Sequence, residues 1–195
     1  MTAQRHNVRP HMDRLNHWRY FLSLESEISD ALRYVEFTPK HQEVFSFEFA
    51  RLLLLTCSEL DVVFKVVCSH VAPTAEAESI GQYFTCITAK YDIVAEAVRL
   101  DRFSQRVEPY AQWNKDTPPV WWTAQNKVKH RRHEHFDQAT LGNTMQALCG
   151  LFVANLLLLN EYQLLGAVHE VPSLLGRDSE PGHLLLEASY KVALR

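Results

Sequence analysis

Apolar side chains return at helical spacing in five separate stretches of this chain. The clearest runs through Phe49, Leu53, Cys57, Leu60, Phe64, Val67 and Val71, which step by 4, 4, 3, 4, 3 and 4. That repeat is one buried face of a helix. Thr38 or Ser46 would cap its start. Ala72-Pro73 closes it, because the residue before a proline is pushed out of the helical region. Upstream, Trp18, Phe21, Leu22, Ile28, Leu32 and Val35 share a face of a helix expected to run to Thr38-Pro39. Downstream, Ile80, Phe84, Ile87, Tyr91 and Val94 mark a third helix, with Thr74 as its candidate cap. The period is lost over residues 98–119. There Pro109, Pro118 and Pro119 break the chain, Tyr110 and Trp113 offer apolar anchors, and an ordered, irregular excursion with a short extended piece is expected. A fourth helix begins near Val120. A fifth runs from about Ala139 into the 160s through Leu141, Met145, Leu148, Phe152, Leu156 and Leu159. A short final helix is expected over residues 184–192.

Five amphipathic segments with short joints predict an all-α fold. It is a helical bundle of about five main helices, with the Pro- and Trp-containing excursion before the fourth. The second and fifth helices are expected at its centre in an antiparallel arrangement. Residues 1–13 read as a flexible leader, 14–170 as the helical domain and 171–195 as a C-terminal extension. Composition agrees with this: 47% of residues are hydrophobic, 22% are charged and only six of 195 are glycine. That balance excludes a disordered chain and disfavours a many-turned β fold. Cys57, Cys68, Cys86 and Cys149 are widely spaced with no Cys-x-x-Cys, as expected of buried free thiols in a reducing compartment. Residues 1–10 carry no apolar signal core. The most apolar runs, around residues 50–55 and 156–159, fall short of the roughly 20 apolar residues of a spanning helix. A soluble cytoplasmic protein that does not engage a membrane is the expectation.

A formal net charge of −3 excludes a global nucleic-acid footprint, so any attraction to phosphate must be local. Such a locality exists. Between Trp121 and Phe136, four cations (Lys127, Lys129, Arg131, Arg132) and one acid (Glu134) give +3 before any histidine protonates. Asn126 and His130, four residues apart, share a helix face, and Lys129 flanks it. An imidazole can act as acid or base near neutral pH, while an amide and an ammonium can hold a phosphate. The competing reading is a solvated helix face with His130 and Glu134 as an i, i+4 pair. His130, His133, Glu134 and His135 crowd together. However, His133 and His135 would leave the shared face, so no metal and no cofactor is expected. Trp121-Trp122 either stacks bases or anchors the helix in the core, and at least one of the two is expected in the core. Ser58, Glu59 and Asp61 interrupt the apolar second helix. Asp61 and Lys65 suit an i, i+4 ion pair, and the set is a candidate support for the basic helix.

The run Gln125-Asn126-Lys127-Val128-Lys129-His130, early on a helix of an all-α bundle, resembles the motif of the HEPN superfamily. In that motif an arginine, usually followed by a polar residue, precedes a histidine with a gap of four to six residues between them, and the gap from Gln125 to His130 is four. Two stretches are similar to an uncharacterised bacterial HEPN-like family. One covers residues 33–68, with Ser58-Glu59-Leu60-Asp61. The other covers residues 109–152, with Trp121-Trp122, Asn126, Lys129-His130 and Arg132. Together they span under half the chain. The resemblance implies an RNA-directed effector, in its active form a metal-independent endoribonuclease of a phage-defence or toxin–antitoxin system. It implies a homodimer whose two motifs share a cleft, and a neutralising or effector protein as a further partner. His130, Asn126 and Gln125 would hold the catalytic positions, and Lys127, Lys129, Arg131 and Arg132 would hold RNA. Gln125 stands where the family has arginine and supplies no fixed charge to a phosphate transition state. The alternative is therefore a catalytically inactive HEPN-like module for dimerisation or partner binding. If the chain is an attenuated or inactive relative, Gln125→Arg is expected to raise cleavage above wild type, and adding His130→Ala to remove the gain.

Overall fold

The computed structural model describes residues 14–177. The leader expected over residues 1–13 and the short helix expected over 184–192 lie outside the described residues. Among the described residues five α-helices form an all-α bundle: α1 (Asn16–Ala31), α2 (Phe47–Val71), α3 (Ile80–Thr88), α4 (Val120–His135) and α5 (Leu141–Glu161). A small antiparallel sheet joins β1 (Val98–Leu100), β2 (Gln105–Val107) and β3 (Gly176–Arg177) in the order β2-β1-β3.

α2 follows its sequence repeat. Phe49, Leu53, Cys57, Leu60, Phe64 and Val67 are buried, and Val71 is half-buried at the end. Of the two candidate caps, Ser46 is the one used. Its hydroxyl accepts from the Phe49 amide at 3.0 Å, satisfying one of the amides that a helix start leaves without an internal partner. Thr140 caps α5 in the same way through the Asn143 amide at 3.1 Å. The two starts are stitched together, since Leu141 and Gly142 donate their amides to the Val44 and Gln42 carbonyls at 2.8 Å. At the other end, the His70 ring lies 5.2 Å from that of Tyr162. Start meets start and end meets end, so the two central helices run parallel, not antiparallel as expected. The long return through the excursion and α4 makes this possible. α1 does run against α2, with His17 at Glu59 and Glu27 at Arg51.

α5 is buried nearly all round rather than along one stripe, and Leu156, on the expected stripe, is only half-buried. By length and composition α5 could cross a membrane, with a mean hydropathy of 1.4, but 83% of its apolar window is buried inside the bundle. Its apolarity is that of a helix enclosed by other helices.

Two helix ends differ from expectation. α1 stops at Ala31 rather than near Thr38. Had the helix continued, Phe37 would sit about 140° round from Leu32 and face water. Unwinding instead buries Phe37 against the Phe103 ring, 5.7 Å away. α3 is capped at Ser79, not Thr74. Gln82 reaches back so that its carbonyl oxygen accepts from the Glu78 amide (3.0 Å) and the Ser79 hydroxyl (2.9 Å). Tyr91 and Ile93, beyond the end of α3, are still buried because the chain turns back under the bundle.

The excursion contains the expected extended piece as the β1–β2 hairpin. Beyond it, Tyr110 donates its hydroxyl to the Gly150 carbonyl and Trp121 its indole N–H to the Pro109 carbonyl, both at 2.8 Å. A Cβ at Gly150 would meet the Tyr110 hydroxyl at 3.0 Å and Trp121 at 3.1 Å, so glycine is what lets the start of α4 close onto α5. The chain after α5 returns across α1. Glu25, 3% exposed, accepts from the amides of Ser173 (3.0 Å) and Leu174 (2.6 Å), and Leu174 and Leu175 are buried before β3.

Candidate nucleic-acid interface

α4 packs against α2 and α5 with Trp121, Trp122, Ala124, Gln125 and Val128. Both tryptophans are buried, so neither ring is open for base stacking. On the helical wheel Gln125 falls about 40° from Trp121 and about 60° from Val128, in the middle of the inner face. It is accordingly 6% exposed, and its amide has no hydrogen-bond partner among the described residues. Asn126 and His130 lie about 140° and 180° from Trp121, on the outer side. Both are exposed, together with Lys127, Lys129, Arg131 and Arg132. Six of the seven motif positions are thus exposed, while Gln125 is largely buried one helical turn before Lys129.

The outer surface is cationic and mostly unpaired. Arg131 has non-helical backbone angles (φ −141°, ψ 48°) and breaks α4 after His130. His130 and Glu134 therefore do not form the i, i+4 pair. Glu134 instead lies 3.8 Å from Arg131, 3.2 Å from His133 and 3.9 Å from His135. Lys127, Lys129 and Arg132 have no acidic partner among the described residues. Three free cations on about two helical turns make a local positive field on a net acidic protein, of the kind that attracts phosphate. The His130 imidazole likewise has no partner among the described residues that would fix its tautomer. It is available for proton transfer but is not held for it within one chain.

Beyond the break, a short turn over Phe136–Gln138 carries the Phe136 ring to 5.3 Å from Phe45 and 4.7 Å from Phe47. Phe136 covers a small cluster of Ala50, Val128 and Ala139. Phe45 and Phe47 stay 48% and 76% exposed. These rings went unremarked in the sequence. The signal was there: in Phe45-Ser46-Phe47-Glu48-Phe49 only Phe49 falls on the buried stripe of α2, which leaves two phenylalanines without a place in the core.

Ser58, Glu59 and Asp61 find their partners elsewhere. Ser58 is exposed. Glu59 meets His17 of α1 at 2.6 Å. Asp61 accepts from the Tyr83 hydroxyl of α3 at 2.8 Å and pairs with Lys65 at 3.1 Å, as its i, i+4 spacing suggested. α4 meets α2 further up, around Ala50 and Leu54. Among the described residues no group of three or more His, Cys, Asp or Glu is placed to hold a metal. All four cysteines are free and buried, and burial pushes the Cys57 and Cys149 thiols well above their ordinary range, which leaves them poor nucleophiles. No family model, curated protein or solved structure matches the chain.

Proposed function

We propose that this chain is a HEPN-like, RNA-directed effector that holds the RNA backbone on the outer face of α4. The observation that carries this reading is the exposure of Lys127, Lys129 and Arg132, without acidic partners, beside Asn126 and His130. Cations that are already paired lose part of their attraction for phosphate; these three keep theirs. In the cutting form of the reading, His130 takes the proton of the RNA 2′-hydroxyl or supplies one to the leaving oxygen. A second copy of the chain brings a second His130 and a second set of cations to the same cleft. Membership of a phage-defence or toxin–antitoxin system, with a neutralising protein partner, belongs to this proposal.

The second reading is a catalytically inactive HEPN-like module for dimerisation or partner binding. Gln125 favours it, because the position where the family carries its arginine holds a largely buried, uncharged side chain. Incubation of the purified protein with total RNA, with and without a chelator, separates the two. Chelator-resistant cleavage that His130→Ala abolishes supports the cutting form. Retention of intact RNA supports binding alone. If RNA is neither bound nor cut at low salt, only the partner-binding module stands.

A further inference from the structure

The rings of Phe45, Phe47 and Phe136 form an aromatic shelf at the end of the cationic face of α4. Phe136, the partly covered member, follows directly on His135 and is four residues from Arg132. The Phe47 ring is tilted 34° to that of Phe136, and Phe45 meets Phe136 edge-on at 84°. The small apolar cluster beneath is closed by Phe136 and Leu54, so it does not require Phe45 or Phe47. Their exposure is therefore not explained by the core. Charges of both signs flank the rings, since Asp137, next to Phe136, and Glu43, two residues from Phe45 in sequence, are exposed acids without a cationic partner among the described residues. Glu48, beside Phe47, is occupied by Arg51 at 2.5 Å, while Arg132 has no acidic partner among the described residues. Exposed aromatic faces next to free cations are what an unpaired nucleotide strand needs, since bases stack on rings while phosphates meet the cations. A duplex offers the same phosphates but keeps its bases inside.

Resting on the RNA-directed reading above, we propose that the Phe45–Phe47–Phe136 shelf is a base-stacking subsite and that the surface takes unpaired in preference to duplex strands. The occupant is a single-stranded nucleic acid whose backbone runs along Lys129 and Arg132 while one or two bases lie on Phe47 and Phe45.

The test is a titration of the full chain with a fluorescently labelled 12-nucleotide oligouridylate and with a blunt RNA duplex of equal length, at low salt. Wild type is expected to bind the single strand more tightly. Phe47→Ala is expected to weaken that binding about tenfold and to leave duplex binding unchanged, while Phe47→Trp restores it. The four native tryptophans are buried in the described fold, so the new indole should report stacking by quenching when the single strand binds. Lys129→Ala with Arg132→Ala should weaken single strand and duplex alike. Equal affinity for both forms, with no effect of Phe47→Ala, overturns the shelf and leaves phosphate binding by α4 intact. Failure of both forms to bind overturns the shelf and the RNA-directed reading together. A Phe47→Ala effect on self-association or on binding to anionic lipid vesicles, with none on RNA, also overturns the shelf and assigns the rings to that surface.

Discussion

Gln125 and His130 stand five residues apart on α4, the first 6% exposed and the second open to water. Five helical steps rotate a side chain by about 140°. A guanidinium placed at 125 would therefore start on the largely covered flank of α4, about 140° from His130. Gln125→Arg is expected to destabilise the protein by at least about 2 kcal/mol, the scale of burying an unpaired charge. It should not create RNA cleavage, whereas Gln125→Met should be nearly neutral. Denaturant unfolding with a parallel RNA assay checks this. A Gln125→Arg protein as stable as wild type that cuts RNA would show that the side chain reaches the outer face.

Much of the bundle could be read in advance. α2 has an unbroken 3–4 repeat, and its polar start offered Ser46 where a cap was needed. The rotation between positions 125 and 130 was also available from spacing alone. Other features were not, because they depend on distant partners. The parallel course of α2 and α5 is set by how residues 42–44 bond to Leu141 and Gly142. The early end of α1 is set by the pull of Phe103 on Phe37. The break at Arg131 has no proline or glycine to mark it. Ser58, Glu59 and Asp61 read as one polar set, yet their helical phases send Glu59 to α1 and Asp61 to α3.

Glu25 is one anchor of the chain over residues 168–177, beside the Trp18 indole bonded to the Glu170 carbonyl and the pairing of β3 with β1. Glu25 accepts two backbone amides and the Ser173 hydroxyl while buried. Hydrogen bonds to an ionised group contribute roughly 1.5–3 kcal/mol. Glu25→Ala is expected to lower stability by about that much. It should also raise hydrogen exchange at Ser173, Leu174 and the β3 amides more than at α2. Uniform exchange changes across the whole bundle would contradict a local latch.

At the far end of α5, Glu161 accepts from Lys90 at 2.7 Å and from the Tyr91 hydroxyl. Burial opposes the ionised carboxylate, but these two donors outweigh it and hold its pKa below the ordinary value. The hydrogen bond to Glu161 in turn raises that of Lys90. A carboxyl with a depressed folded pKa contributes stability above its unfolded value, about 4.3, and loses that contribution as pH falls through the folded value. For Lys90 the contribution is present below its unfolded value and is lost as pH rises through the folded one. Glu161→Gln should therefore cost roughly 1–2 kcal/mol near neutral pH, and the gap from wild type should narrow as pH falls below the unfolded carboxyl value, about 4.3. Urea midpoints for both proteins across that range provide the check. A gap equally wide at low pH would mean that packing, not charge, makes the contribution.

On the proposed reading, the outer face of α4 holds RNA phosphates. The most direct measurement is the affinity of the full chain for single-stranded RNA across a series of salt concentrations, for wild type and for Lys129→Ala with Arg132→Ala. Each neutralised phosphate releases counterions and steepens the fall of log affinity with log salt by about 0.7 for a single strand. Wild type should bind at low salt with a steep slope, and the double variant should bind more weakly with a slope shallower by about 1.4. Binding that is absent at low salt, or unchanged in strength and slope by the two substitutions, would contradict the assignment and leave α4 a solvated face.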